Sequence, residues 1–485
     1  MILKKLLESL DYELVSGNLN VDVEKVVCDS NAVIQKSAFI AIPGYKVDGH
    51  NYISTAISKG AKVIILEQEP KKIFNEITYI KIPNTRMGLS QIANNFYKNP
   101  SSKLKVIGVT GTNGKTSTSM MAQNILECSG KKIGIIGTIG SFIDDEKREL
   151  KNTTPESIEL QEILSVMVEK NMEYAIMEVS SHALQLNRVT GIEFSHGVFT
   201  NLTQDHLDFH VTMEKYFQQK QKLFYMTSGY NIINIDDSYG RILSRTLQAN
   251  NKKVVTYGLG KSADLHAVDM VYSMDGVDFT LRFRDLRQRI HCPIPGKFTL
   301  YNVLAAIAIA ICEEVPLKTI AKALKNMPTV PGRIERIRVD TPYQVIIDFA
   351  HSPDGLQNII CSLKETVEGR LITLFGCGGD RDKTKRPIMG KIAGDLSDYC
   401  IVTSDNPRSE DPDKIIEDIL DGVKETQCPY IAITDRREAI KFALTMAKEK
   451  DIILLAGKGH ETYQILKDRV IEFNEKNIVK ELLEE

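Results

Sequence analysis

Residues 106–118 read VIGVTGTNGKTST, and this run has the composition to hold a polyphosphate. An apolar stretch, Leu104 to Val109, predicts a short buried strand, and a helix is expected to open near Thr116. The glycines between them let several backbone N–H groups converge on phosphate oxygens, and the helix N-terminus adds partial positive charge. Lys115 can reach the β- and γ-phosphates, and the Thr116 hydroxyl can ligate Mg²⁺. The loop is not the strict P-loop pattern: Val109 stands where that pattern has its first glycine, and Gly108 falls one place early. A plain Gly/Thr turn between strand and helix is the alternative, and Gly-Lys-Thr at a strand-to-helix junction argues against it.

Other chemistry-bearing residues recur at the ends of apolar runs. Tyr174–Val179 reads as a strand with Glu178 near its C-terminal end, where ligands gather in open α/β sheets. A carboxylate there can serve Mg²⁺ directly or through water; a strand-end glutamate facing solvent is the bland alternative. Residues 205–210 hold two aspartates and two histidines, consistent with a metal or phosphate site and equally with a solvated loop. Lys220 and Lys222, in an expected helix over 216–224, read by themselves as surface lysines. Further polar loops follow strands at 350–354, 376–382, 404–412 and 457–461. The GCGGD stretch at 376–380 lacks G-x-G-x-x-G spacing and is rejected as a dinucleotide fingerprint.

The chain that must position these loops has 485 residues, enough for about three domains. Its formal net charge is −2, with no basic block, so neither nucleic acid nor an anionic membrane is expected as a partner. No apolar run is long enough to span a bilayer. The opening residues, MILKKLLESLDYELV, predict an amphipathic helix rather than a signal peptide. Eight scattered cysteines without a C-x-x-C pair suggest free thiols and a cytoplasmic location.

The expected fold class is α/β in three domains. A small α/β N-terminal domain spans 1–102: short strands at 21–28, 38–42, 61–66 and 79–82, a helix at 51–60, turns at Pro43-Gly44-Tyr45 and 47–50, and a linker at 99–102. A central P-loop ATPase-like parallel sheet spans 103–332, and a C-terminal Rossmann-like domain spans 333–485, after a hinge at Val330-Pro331-Gly332-Arg333. Asn302, at the head of an apolar helix over 303–311, can cap that helix or bond an adenine edge.

Taken in order, TGTNGKT (110–116), NTTP (152–155), EVSSHAL (178–184), NLTQDHLDFH (201–210), YxxxKxxLF (216–224), YNVLAA (301–306), VPGRIE (330–335), DFAHSPD (348–354), DNPR (405–408) and GKGHE (457–461) resemble the Mur ligase family over essentially the whole chain. These are the ATP-dependent amide-bond formers of peptidoglycan synthesis. The resemblance is strongest to members that add the third amino acid to UDP-N-acetylmuramoyl-L-alanyl-D-glutamate. It implies that Gly111, Thr112, Asn113, Gly114, Lys115 and Thr116 serve ATP, with Asn302, Arg333 and Asp348 near adenine, phosphate and ribose. It implies metal-site roles for Thr116, Glu178, His206 and Lys220, the last carbamylated by CO₂, and catalytic roles for Lys115, Glu178, His206 and Lys220. Ser30, Asn152, Thr153, Thr154, Ser180 and Arg188 match contacts to the UDP-muramoyl peptide; where the family often has glutamine, this chain has Leu186, which cannot make that hydrogen bond.

Arg386, Asp405, Asn406, Pro407, Arg408, Gly457 and Glu461 match the amino-acid contacts. The DNPR run resembles the signature of enzymes taking meso-diaminopimelate, whose second carboxylate a guanidinium can bind through two parallel hydrogen bonds. Meso-lanthionine has the same two ends, and L-lysine lacks the carboxylate. The resemblance implies ATP and Mg²⁺ as cofactors and an acyl-phosphate mechanism, and the enzyme is expected to be a monomer. A P-loop ATPase without ligase activity is the reading from another class; a folylpolyglutamate synthase is disfavoured by the N-terminal domain and DNPR.

Overall fold

The structure is a computed structural model that describes residues 1–44, 47–70 and 72–484; Tyr45 of the expected turn lies outside them. It divides into two compact units. The first comprises Met1–Thr110, Gly130–Val198 and Gln219–Asn231, and the second Gly111–Ser129, Phe199–Gln218 and Ile232–Glu485.

The first unit begins with β1 (Glu13–Ser16), β2 (Lys25–Val27), β3 (Ser37–Ile40), β4 (Ala61–Leu66) and β5 (Thr78–Lys81), in sheet order β1-β5-β4-β3-β2. β2 to β5 run parallel and β1 pairs antiparallel at the edge. The run AKVIIL explains the burial of β4 on both faces. Val63 and Ile65 join one apolar cluster with Leu3, Leu6, Leu89 and Ile92, whereas Ile64 and Leu66 join another with Ala56 and Tyr79.

Three sequence expectations are revised here. The N-terminal helix is a single turn, Leu3–Leu6, because the chain turns at Ser9 (φ +66°) and Glu13 already pairs with β5. The helix expected at 51–60 is a 3-10 turn, Gly49–Tyr52, followed by a helix only from Ile53 to Ser58. The expected linker at 99–102 is ordered as a 3-10 turn, Pro100–Lys103, with Pro100 and Ser101 buried.

The same unit carries β6 (Lys105–Thr110), β7 (Ile133–Gly137), β8 (Gly140–Ile143), β9 (Glu146–Arg148), β10 (Tyr174–Glu178) and β11 (Phe194–Phe199), in the order β11-β6-β10-β7-β8-β9. β6, β10 and β7 are parallel, and β8 and β9 add an antiparallel edge. Gly108 lies inside β6, where a Cβ would come 2.8 Å from Phe194 and 2.9 Å from Leu223. That glycine serves strand packing, which accounts for its place one residue before the loop pattern.

In the second unit, β12 (Tyr230–Asn234), β13 (Lys253–Gly258), β14 (Leu265–Ser273), β15 (Gly276–Phe283) and β16 (Leu286–Cys292) lie in sequence order, with β13 and β14 parallel and the last two hairpins antiparallel. The apolar helix runs from Lys297 to Cys312 with Gly296 at its N-cap. Asn302 therefore sits in its second turn and does not cap it, contrary to expectation: thirteen of the sixteen residues are uncharged apolar or aromatic side chains that extend the helix upstream.

A six-stranded sheet follows, from β17 (Glu335–Ile337), β18 (Gln344–Asp348), β19 (Leu371–Phe375), β20 (Tyr399–Val402), β21 (Tyr430–Ala432) and β22 (Ile452–Ala456), in the order β17-β18-β22-β19-β20-β21. All neighbours are parallel except β17. A small hairpin, β23 (Tyr463–Ile465) and β24 (Val470–Glu472), completes the chain's strands among the described residues. Strand order reverses around β22 and β19, so the loops after β18, β19, β20 and β22 gather at one end of the sheet. Every cysteine is a free thiol, as the scattered spacing suggested. Among the described residues no helix is long and apolar enough to cross a membrane.

Candidate functional site

The Gly-rich loop lies between β6 and the Lys115–Cys128 helix. Gly114 has φ +85°, and a Cβ there would come 2.4 Å from Asn302 Oδ1, so the position needs glycine twice over. The loop is tied down by Thr200 and by Asn201 of the NLTQ run. Thr112 N donates to Asn201 O at 2.9 Å, Asn113 N to Asn201 Oδ1 at 2.9 Å, and Thr200 Oγ1 to Asn113 O at 2.6 Å. Lys115 folds back so that Nζ donates to the carbonyls of Gly111 (3.0 Å) and Thr112 (2.8 Å). Its ammonium is thereby centred on the loop at the helix N-terminus, where anions bind.

The C-terminal segment of this unit reaches the same loop. Arg333 Nη2 lies 3.4 Å from Thr116 Oγ1, and its guanidinium stacks 4.7 Å from the Phe349 ring. Asp354 Oδ2 accepts from Asn113 Nδ2 at 2.7 Å and from Thr203 Oγ1 at 3.3 Å. Burial pushes the Asp354 carboxyl up, against the hydrogen bonds from Asn113 and Thr203. Asn201 and Asp354 lie within motifs but carry no role legible from residue type alone; only the folded loop shows what they hold. Asp348 is buried, with Oδ2 accepting from Ile334 N (2.9 Å) and Oδ1 from Ala350 N (2.8 Å). Burial raises its pKa, opposed by the Arg333 charge. Gly332, the expected hinge, packs so closely that a Cβ would meet His460 N at 2.2 Å.

His206 adopts a left-handed conformation (φ +55°) and lies 3.5 Å from Asp205. Burial works to raise the Asp205 pKa, but the positive charges of His206, His351 and Lys385 outweigh it and hold the carboxyl at about 2. His210, the other histidine of the run, is a buried ring stacked 4.9 Å from Tyr216. Among the described residues no cluster of three or more His, Cys, Asp or Glu side chains forms a closed metal site. Mg²⁺ beside substrate phosphates keeps several waters and needs only one or two protein oxygens, so the Thr116 hydroxyl at the loop suits it without a closed protein cluster.

In the first unit, Glu178 is only 2% exposed, so it is not a solvent-facing strand end. Thr138 secures it, N donating to Oε1 and Oγ1 to Oε2, both at 2.9 Å. Around it the expected UDP-muramoyl contacts largely converge. Thr138 Oγ1 lies 3.1 Å from Thr153 Oγ1; Thr154 Oγ1 donates to Glu178 O at 2.8 Å and accepts from Ser180 N at 3.0 Å. Arg188 Nη1 donates to Thr154 O at 3.1 Å and Nη2 pairs with Glu156 at 2.7 Å. Its Nε is buried without a hydrogen-bond partner among the described residues, as suits a side chain with capacity left for a ligand. Asn152 is exposed in the loop ahead of them, and Ser30 stands apart in its own turn, Ser30–Ala32. Lys220 is 2% exposed and Lys222 exposed, so the surface reading holds only for Lys222.

The loops expected to take the amino acid meet at the tips of the C-terminal sheet. Arg408 is left-handed (φ +52°), a conformation uncommon outside glycine and frequent at ligand sites. Its Nη1 donates to Gly379 O at 2.8 Å and Asn406 O at 3.4 Å. Gly378 and Gly379 belong to the GCGGD run left without a role by sequence: Cβ atoms there would come 2.7 Å from Arg408 Nη1 and 2.0 Å from Pro407 O. That run is the floor under DNPR. Among the described residues Arg408, half-buried, makes no ion pair, whereas the Nη atoms of Arg386 are both engaged by carboxylates and only its Nε is left without a hydrogen-bond partner. Arg386 Nη1 donates to Glu410 Oε2 (3.2 Å) and Asp418 Oδ2 (2.8 Å), and Nη2 to Glu410 Oε1 (3.0 Å). Glu461 accepts from Asn406 Nδ2 at 2.9 Å; burial and Asp405 push its pKa up against the pull of Lys458. Gly457 (φ +115°) turns the chain beside Asp405, whose Oδ2 would lie 2.7 Å from a Cβ.

The Arg386 pair sets an expected pH dependence. Its hydrogen bonds hold Glu410 down to about 2, against burial, from an ordinary 4.5. A depressed carboxyl contributes stability above its unfolded pKa, lost as pH falls toward the folded one. The melting-temperature gap between wild type and Glu410→Gln should therefore be full above pH ~5 and close between about pH 4.5 and 2. A gap independent of pH in melts across that range would refute the pairing.

Family models for the Mur ligase family catalytic domain, the Mur ligase middle domain and the Mur ligase glutamate ligase domain match residues 22–97, 109–310 and 332–459. The chain is 48% identical over its full length, and that of the relative, to UDP-N-acetylmuramoyl-L-alanyl-D-glutamate–2,6-diaminopimelate ligase 1 of Clostridium acetobutylicum. It is 47% identical, again with 100% of both chains covered, to the ligase of the same name, without a numeral, from Clostridium tetani. A solved structure of a UDP-N-acetylmuramoyl-L-alanyl-D-glutamate–2,6-diaminopimelate ligase, 30% identical, superposes with a TM-score of 0.71 over 100% of this chain and 99% of that one. With relatives this similar along its whole length, and with the loop, strand-tip and DNPR geometry described above, the chain belongs to the Mur ligase family.

Proposed function

We propose that this protein is an ATP-dependent ligase that joins meso-diaminopimelate to the D-glutamate γ-carboxylate of UDP-N-acetylmuramoyl-L-alanyl-D-glutamate, in peptidoglycan precursor synthesis. The observation that carries the choice of amino acid is Arg408. A half-buried guanidinium, strained into place by carbonyl partners and lacking any carboxylate of its own among the described residues, is what a substrate carboxylate would meet. Meso-lanthionine presents the same carboxylate; L-lysine would leave the guanidinium unanswered.

In this reading residues 1–102 and the first-unit set of Asn152, Thr153, Thr154, Ser180 and Arg188, with Ser30, take the UDP-muramoyl dipeptide. The central residues 103–332 take ATP on the 111–116 loop, with Asn302, Arg333 and Asp348 alongside. Residues 333–485 take the amino acid at Arg386, Asp405–Arg408, Gly457 and Glu461. The γ-carboxylate oxygen attacks the γ-phosphorus of ATP, ADP leaves, and the acyl phosphate forms. The amine of the incoming amino acid adds to the acyl carbon, loses its proton, and phosphate departs. Lys115, poised over the loop carbonyls, offsets charge on the transferring phosphoryl group. Mg²⁺, when bound, neutralises phosphate charge; Thr116 and His206 are its proposed positions in the second unit, and Glu178 with a CO₂-carbamylated Lys220 those in the first. The setting is the cytoplasm and the working form a monomer.

Phosphate release from ATP tests this directly. It should require both UDP-N-acetylmuramoyl-L-Ala-D-Glu and a dicarboxylate, with meso-diaminopimelate and meso-lanthionine active and L-lysine weak. A lysine preference would keep the ligase and overturn the role of Arg408. Release needing neither addition would instead mark a simple P-loop ATPase.

A further inference from the structure

We propose that Lys458 is the positioning residue of the amino-acid site, holding DNPR and Glu461 in one fixed arrangement. The proposal rests on the ligase reading above. Lys458 is fully buried, at 0% exposure, in the loop after β22. Its Nζ donates to Asn406 Oδ1 at 3.2 Å and to Glu461 Oε2 at 3.2 Å, and lies 3.8 Å from Asp405 Oδ1. Asn406 closes the triangle by donating Nδ2 to the same Glu461 oxygen at 2.9 Å. The Asn406 amide is thereby oriented from both sides, since its Oδ1 also accepts from Ile465 N at 2.9 Å.

Chemistry explains why a lysine is needed there. Asp405 and Glu461 put two carboxylates beside one polar loop, and without a cation between them burial and mutual repulsion would drive them apart or protonate one. A point charge with three donors can serve Asn406 and both acids at once, which a planar guanidinium cannot do in that space. The rings of Tyr463 and Phe473, each 6.0 Å from Nζ, wall the ammonium away from solvent and confine it. Lys458, buried among these protein groups with two hydrogen bonds and an ion pair, acts as a support for the site and not as a substrate contact. Its effect reaches the ligand through Glu461 and through Asn406, whose carbonyl is one of the two that Arg408 leans on.

The test is steady-state kinetics of the full-length protein with ATP, Mg²⁺, the UDP-muramoyl dipeptide and meso-diaminopimelate. In Lys458→Met, the KM for meso-diaminopimelate should rise about tenfold or more while the KM values for ATP and the nucleotide dipeptide stay within about twofold. Selectivity for meso-diaminopimelate over L-lysine should fall in parallel, because the Arg408 shelf loosens. A role confined to stability would lower the melting temperature and leave the three KM values unmoved or move them together, and either result overturns the proposal. Lys458→Gln, which keeps a polar end for the cavity, is read in the same way if the methionine variant does not fold. A wild-type protein that ignores meso-diaminopimelate would instead sink the ligase reading, so the two failures are told apart.

Discussion

Lys115→Ala should lower ATP-dependent phosphate release by about 10³-fold or more, with the melting temperature nearly unchanged. The lysine stands at the first position of the Lys115–Cys128 helix, behind a loop that Thr200 and Asn201 hold in shape. Its Nζ rests on the Gly111 and Thr112 carbonyls, so the loop backbone and the ammonium already converge without a ligand. Charge that develops on a transferring phosphoryl group needs compensation that does not have to reorganise, and a preplaced ammonium supplies it. Alanine keeps the helix and the glycine turn but removes that charge. The loss should therefore fall mainly on kcat, with ATP binding retained in part through the loop N–H groups. A variant keeping more than about a tenth of wild-type turnover would refute the phosphate role.

The second large effect is expected at Arg408. Arg408→Ala should reduce kcat/KM for meso-diaminopimelate about 10²- to 10³-fold, the cost of leaving a desolvated substrate carboxylate without its partner. Meso-lanthionine should fall with it, since its far end is the same carboxylate. L-lysine, which has no charge to lose there, should change little, so the preference between the substrates should nearly vanish. Arg408→Lys should recover only part of the loss, because an ammonium cannot make two parallel hydrogen bonds. Equal losses for all three amino acids would assign Arg408 to loop structure and not to recognition. Arg386 differs in that its guanidinium already has Glu410 and Asp418 as partners.

Much of the fold could be read from apolar runs. The strands 344–348, 371–375 and 452–456 are found where the runs of isoleucine, leucine and valine place them, because a parallel strand buried on both faces is apolar along nearly its whole length. The N-terminal residues were misread for the opposite reason. Leu3, Leu6 and Leu7 have helical spacing, yet the pairing of Glu13 and Leu14 with β5 stops the helix after one turn. Pairing between residues that distant leaves no local trace. Asn302 shows a related error: the helix begins five residues earlier, at Lys297, since glycine at 296 rather than asparagine ends the preceding turn.

What the sequence by itself determined is the chemistry available: a Gly-Lys-Thr at a strand-to-helix junction, carboxylates at strand ends, and an arginine suited to a carboxylate ligand. These depend on residue type and short spacing, which the chain carries in one dimension. What only the tertiary structure decided is which of these groups are satisfied and which await a ligand. Lys220 and Lys222 are two residues apart, yet one is buried and the other exposed. Arg386 and Arg408 belong to the same loop cluster, yet only one has carboxylate partners among the described residues. The GCGGD glycines have their meaning from Arg408 and Pro407, about thirty residues away in sequence and in van der Waals reach in space. Burial and partner choice depend on distant segments meeting, and hydrogen-bond satisfaction inside a packed interior depends on that meeting alone.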